Sequence, residues 1–266
     1  MQKEFRIVDK EKNIVCISTL DERYYGEEVR DPVTGLPVIT WVPSITFITN
    51  SYPKGIQYMR WLADKGYDKA EEIKTEAGDR GTIVHRAIEQ LMTDGVLKMD
   101  DKIMDREGIA REMTPDEYYC AMTFLQWYEA NGKPKPLAIE KTVRSKQYGY
   151  AGTLDYIFDL NDKKILLDIK TSKNIYPNHK LQLSALRQAC REEGIEIDTI
   201  AILQVGYTLN KTQHYKFTEV EDRFDLFLSI KAVWMAEHGG DKPLQRDYPL
   251  SLSLNREGPA KKVKKQ

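Results

Sequence analysis

Apolar and polar positions alternate in short runs at the start of the chain, at residues 5–8, 14–18 and 37–41. Turn chemistry separates them, including Asp31-Pro32 and Thr34-Gly35, so residues 1–42 read as a small β appendage. From Pro43-Ser44, where the serine hydroxyl can cap a helix, the spacing turns helical. It stays so to about Asn131, punctuated by Tyr52-Pro53, Gly66 and Gly95. Thr114-Pro115-Asp116-Glu117 is a helix start, with a cap, a first-turn proline and two acids at the positive end of the dipole. Beyond Pro136 the period falls to two. Strands are expected at 137–144, 150–160 and 164–171, then a helix at about 178–193 and strands at 199–206 and 214–217. A last helix is expected from about 219 to 236. The order implies an α/β chain, with helices on a mixed central sheet.

Composition narrows this little. The 266 residues are 41% hydrophobic and 30% charged, ordinary values for a globular protein, with no apolar run near the roughly 20 residues of a membrane span. The charged start, Met1 to Phe5, lacks a secretory pattern, so a cytoplasmic setting in a bacterial or phage-infected cell is expected. Cys16, Cys120 and Cys190 are odd in number and far apart, which suits neither a disulfide framework nor a clustered zinc or iron-sulfur site. A formal net charge of −1 argues against bulk affinity for phosphates, so any nucleic-acid contact must come from a local basic groove. Residues 257–266 read as a solvated basic tail carrying Lys261, Lys262, Lys264 and Lys265.

The chemistry gathers in the hairpin 150–171. With Asn161-Asp162 as its turn, Leu160 sits opposite Lys163, and stepping outward places Asp155 opposite Asp168. Alternation puts Asp168 and Lys170 on one face, with Thr153 facing Lys170, and Ile165, Leu167 and Ile169 on the other. Both strands are apolar enough to be buried on two sides, where crowded carboxylates are costly. A Mg²⁺ or Mn²⁺ ion resolves that cost, and points to phosphodiester hydrolysis with Lys170 orienting or deprotonating the attacking water. The alternative for the same three residues is a buried salt-bridged triad. Upstream, His85 and Glu89 lie at i and i+4 on the margin of a helix whose apolar face is Ile83, Val84, Ala87, Ile88 and Leu91. An imidazole beside two carboxylates is a good further ligand, although a histidine so placed is more often an ordinary packed residue.

The ordered string Gly81-x-x-x-His85, Glu140, Gly152-Thr153-Leu154-Asp155, Asp168-Ile169-Lys170-Thr171 and Gln182 resembles the motifs of the PD-(D/E)xK nuclease superfamily. Val42-Pro43-Ser44-Ile45-Thr46, Lys54-Gly55 and Trp61-Leu62 resemble its RecB-type, phage exonuclease-like branch, which includes the mitochondrial genome-maintenance exonuclease group. That resemblance implies a restriction-endonuclease-like core over 43–256 and a DNA exonuclease of phage or bacterial recombination, repair or replication, with a recombination or replication protein as a possible partner. A structure-specific or restriction-type endonuclease is the nearest alternative, and a catalytically silent DNA-binding module the alternative of another class.

It further implies that His85, Asp155, Asp168 and the carbonyl of Ile169 bind metal, that Lys170 is the active lysine, and that Gln182 orients lysine, water or phosphate. Glu89 and Glu140 are supporting ligands through water, or plain surface glutamates. Arg80, Arg86, Thr171, Lys173, Lys180 and Arg187 are candidates for a phosphate groove, and Tyr148, Tyr150 and Tyr176 for stacking on bases or for packing. Two departures stand out. Leu186 replaces the tyrosine of a Gln-x-x-x-Tyr pattern, and the four cysteines of cluster-bearing relatives are absent, so no iron-sulfur cluster is expected.

Overall fold

The computed structural model describes residues 4–9, 14–18, 22–33, 35, 37–106, 108–208, 212–241 and 243. The basic tail at 257–266 lies outside them.

The chain opens with a four-stranded antiparallel sheet, β1 (Glu4–Asp9), β2 (Ile14–Ser18), β3 (Arg23–Arg30) and β4 (Pro37–Pro43), paired in sequence order. Ser44 then caps α1 (Ile45–Thr49), its hydroxyl accepting from Phe47 N. The helices α2 (Ile56–Lys65) and α3 (Tyr67–Asp94) follow, then a small hairpin of β5 (Lys102–Met104) and β6 (Ala110–Glu112), and α4 (Pro115–Ala130). The central sheet is built from β7 (Lys135–Ser145), β8 (Tyr150–Leu160), β9 (Lys163–Lys170), β10 (Thr199–Val205) and β11 (Tyr215–Glu219), with α5 (Pro177–Glu192) and α6 (Phe224–His238). Its order is β11-β10-β9-β8-β7. Only β9 and β10 run parallel, and α5 makes the crossover that a parallel pair requires. The sheet is therefore mixed, as the alternating pattern implied.

Both faces of this sheet are covered. Ile45, Leu154, Leu166, Leu183, Phe227 and Trp234 form one apolar cluster with α1, α5 and α6. Val84, Phe124, Trp127, Tyr156, Leu167 and Leu203 form the other with α3 and α4. Each such side chain contributes roughly 1.5–3 kcal/mol by leaving water. The β8–β9 turn has the expected register, Leu160 opposite Lys163. Asn161 (φ 53°) and Asp162 (φ 60°) take the left-handed conformation that a two-residue hairpin turn needs and that these side chains tolerate.

Three features depart from the sequence reading. The charged segment Arg23–Arg30 is a strand because it is paired on both sides, and it buries Tyr24 and Tyr25. The stretch expected to be helical to Asn131 contains the β5–β6 hairpin, whose ends are held on α3 by Arg86, donating to the carbonyls of Met104 and Asp105 at 2.8 Å. The last helix starts at Phe224 rather than 219, because Thr218 and Glu219 are paired with Ile202 and Ala201. Among the described residues no helix is long and apolar enough to cross a membrane.

Candidate metal centre

β8 pairs with β7 along nearly its whole length, but with β9 only from Tyr156–Leu167 to Leu160–Lys163. Beyond that point β9 continues alone with β10, Asp168 beside Ile202 and Lys170 beside Gln204. The strands part where the two aspartates lie. In the gap, Ile169 N donates to Asp155 Oδ2 at 2.8 Å, a side-chain bond replacing the ladder bond. Gly152, three residues before Asp155, lets α1 and α5 press on β8: a Cβ there would lie 2.7 Å from Ile45 Cδ1 and 3.1 Å from Leu186 Cδ2.

The alternation of β8 also breaks here. Leu154 and Ile157 pack toward α5, whereas the adjacent Tyr156 joins Phe158 on the α3 side. Asp155 consequently turns toward α3, not into line with Asp168, which corrects the simple facing pair expected from the hairpin. Its Oδ2 lies 3.4 Å from His85 Nδ1, and His85 Nε2 is 2.9 Å from the carbonyl oxygen of Ile169. Glu140 completes the group. It falls between the ladder pairs Ile139–Tyr156 and Lys141–Leu154, opposite Asp155, with φ at 44°. A left-handed glutamate inside a strand is strained, and such strain concentrates where a side chain must be aimed. Ligand atoms of His85, Glu140 and Asp155 all lie within 4.8 Å of one another. Glu89, on the next turn of α3, is not one of them.

Asp168 is engaged differently. It is 2% exposed, and Lys170 Nζ sits 2.9 Å from Oδ1 and 2.8 Å from Oδ2, with only the first contact aligned as a hydrogen bond. Burial pushes the Asp168 carboxyl upward, the Lys170 charge opposes that shift, and Asp155 adds to it. Burial also works against the Lys170 ammonium, but Asp168 and Asp155 outweigh it and hold Lys170 above its ordinary value. His179, in the first turn of α5, is driven down to about 4 by burial and then by Lys170, so it is neutral at pH 7. Its Nδ1 accepts from Tyr176 N at 3.4 Å.

His179 escaped the sequence reading, although its i, i+3 spacing from Gln182 on α5 was there to be seen. Gln182 itself is half-buried one turn further along. Gln204 also escaped notice. It is buried and donates to the carbonyls of Ser172 (2.8 Å) and Lys173 (2.9 Å), fixing the loop that leaves Lys170 and Thr171.

The proposed groove residues divide by environment. Arg86 is committed to the β5–β6 hairpin, Arg187 pairs with Asp222, and Arg80 donates to Cys120 Sγ. Lys173 is exposed and Thr171 and Lys180 are half-exposed. Tyr150 is fully buried, its hydroxyl donating to Ala185 O, and Tyr148 packs edge-on against Phe224, so both are packing residues. Tyr176 is exposed and stands edge-on to His179.

The donor set fits a hard divalent cation. One imidazole and hydrogen-bonded carboxylates converge, and Asp168 Oδ2 and the nearby Tyr156 Oη are buried oxygens without a hydrogen bond. The three cysteines are buried, free and in separate parts of the fold.

No protein-family model matches the sequence, and no curated protein does. Among solved structures, the chain is similar to an alkaline exonuclease from Laribacter hongkongensis, over 74% of this chain and 87% of that one, at 11% identity and a TM-score of 0.39. A likeness at that level assigns neither substrate nor residue roles.

Proposed function

We propose that this chain is a Mg²⁺- or Mn²⁺-dependent deoxyribonuclease that hydrolyses phosphodiester bonds from DNA ends, in phage or bacterial recombination, repair or replication. One observation carries the reading: His85, Glu140 and Asp155 converge within 4.8 Å beside a buried Asp168–Lys170 pair, where β8 and β9 part. His85, Glu140, Asp155 and the Ile169 carbonyl would hold the metal, and Asp168, paired with Lys170 beside them, would have to turn an oxygen toward it to join. When bound, the ion supplies Lewis acidity and lowers the pKa of its water.

The remaining chemistry belongs to the chain. Lys170, held as an ammonium, is a donor toward the scissile phosphate or the attacking water rather than a proton acceptor. Gln182 orients phosphate or water from α5, and Thr171 and Lys173, on the loop that leaves Lys170, are the candidates for phosphate contact. The motif resemblance to the PD-(D/E)xK superfamily, with its restriction-endonuclease-like core, supports the same assignment.

The test is incubation of linear and circular DNA with Mg²⁺, Mn²⁺ or chelator, beside Asp168→Asn and Lys170→Ala checked for fold by circular dichroism. Metal-dependent loss of linear DNA alone is expected, and its absence in both variants. Cutting of circles would make the enzyme an endonuclease. Retention of DNA without cutting would make the chain a binding module, and full activity in folded Lys170→Ala would remove the assigned site.

A further inference from the structure

The N-terminal sheet touches the strand that carries Asp155. Ser44 forms a parallel bridge to Ala151, and Ala151 packs with Ile14, Cys16, Tyr25 and Val42. Among the described residues, a chain of hydroxyls crosses this seam. Tyr25 Oη and Thr153 Oγ1 share a hydrogen bond at 3.2 Å, and Thr153 Oγ1 shares another at 3.2 Å with Thr142 Oγ1. Thr142 and Thr153 are a cross-strand pair of β7 and β8. Two residues further along each strand stand Glu140 and Asp155. Tyr25 is 2% exposed and Thr142 3%, and Thr153 is half-buried between them.

Taking the metal reading above as its basis, we propose that Tyr25 is a positioning residue. Through Thr153 and Thr142, its hydroxyl fixes the β7–β8 separation that holds Glu140 and Asp155 at ligand distance. The N-terminal sheet thereby becomes a part of the centre. Glu140 requires such support, since a left-handed glutamate persists in a strand only when its surroundings over-determine it. The ion pair of Glu27 with Arg144 ties the same two sheets together one step beyond the threonines.

The preceding residue supplies an internal control. Tyr24 is as buried as Tyr25, on the same strand, but its hydroxyl has no hydrogen-bond partner among the described residues and its ring packs on Phe47. Tyr24→Phe and Tyr25→Phe therefore remove equal groups, only one of which belongs to the relay.

Manganese binding to the full chain, read by electron paramagnetic resonance without DNA, separates the cases. Tyr25→Phe is expected to weaken Mn²⁺ binding about tenfold, the scale of lost outer-shell contacts, with the KM for DNA near wild type. Thr153→Val should follow it, Thr153→Ser should restore much of the affinity, and Tyr24→Phe should bind as wild type does. Equal affinity in Tyr25→Phe and wild type overturns the inference and leaves the nuclease reading standing. Equal weakening by both tyrosine substitutions overturns it too, as a general loosening of the strand. A wild-type chain that takes up no Mn²⁺ removes the nuclease reading and this inference together.

Discussion

Glu140 holds a conformation that costs of the order of 1–3 kcal/mol for a residue with a Cβ. Glu140→Gly should thus leave thermal stability equal or raised by about 1 kcal/mol while Mn²⁺ affinity falls. A melting curve and a binding titration on the same sample decide it. A variant that loses both would show that Glu140 is a structural strand residue. The Asp168–Lys170 pair makes the opposite prediction. Lys170→Met strands a buried carboxylate and should cost about 3–5 kcal/mol in denaturant unfolding, much of it recovered in the Asp168→Asn/Lys170→Met double variant. Additive losses would mean that the two groups do not interact. Asp155, Asp168 and Lys170 were legible in the sequence because hairpin register is arithmetic once the turn is known. The partnering was not, since strict alternation fails between Leu154 and Tyr156: the pattern that put Asp155 beside Asp168 could not foresee Tyr156 sharing the α3 side.

At the scale of elements, the β8–β9 turn is the most predictable part of the chain and the easiest to improve. Asp162→Gly converts Asn-Asp to the Asn-Gly that this turn favours; relief of the left-handed conformation outweighs the added chain entropy of glycine and should raise stability by about 0.5 kcal/mol with cleavage unchanged. No gain in melting temperature would mean that Asp162 has a compensating contact. The α4 start was also legible, and it carries a pH dependence. Burial pushes the Glu117 carboxyl up, but the paired bonds from Arg111 (2.7 and 2.8 Å) and the Thr114 cap outweigh it and hold it below its ordinary value. A lowered folded value means that this stabilisation is complete above the unfolded value and lost as pH falls through the folded one. Glu117→Gln should accordingly melt below wild type at neutral pH, and the gap should close below about pH 4. A gap independent of pH would place the cap's value in packing. By contrast β3 and the β5–β6 hairpin were hidden. β3 is charged at its C-terminal end and gains its order from strands on both sides, and the short hairpin depends on Arg86 reaching across from α3.

Over the whole molecule, the layered α/β architecture followed from the change of period at Pro136, because strands alternating with long helices leave few ways to cover a sheet. The docking of the first sheet was not visible. Its contact with β8 uses small and aromatic residues such as Ala151 and Tyr25, whose meeting no local pattern announces. A net charge of −1 also has a consequence at this scale, since the chain as a whole does not attract DNA.

Because an ammonium already rests against Asp168, the chain supplies that carboxylate with its own counter-ion and is expected to reach its native form with nothing added. Prepared in a chelator it should melt in one transition, and manganese should then raise that midpoint only as the logarithm of its concentration. The ion arrives as a guest at a finished seat; a chain that stayed unfolded until manganese was supplied would contradict this.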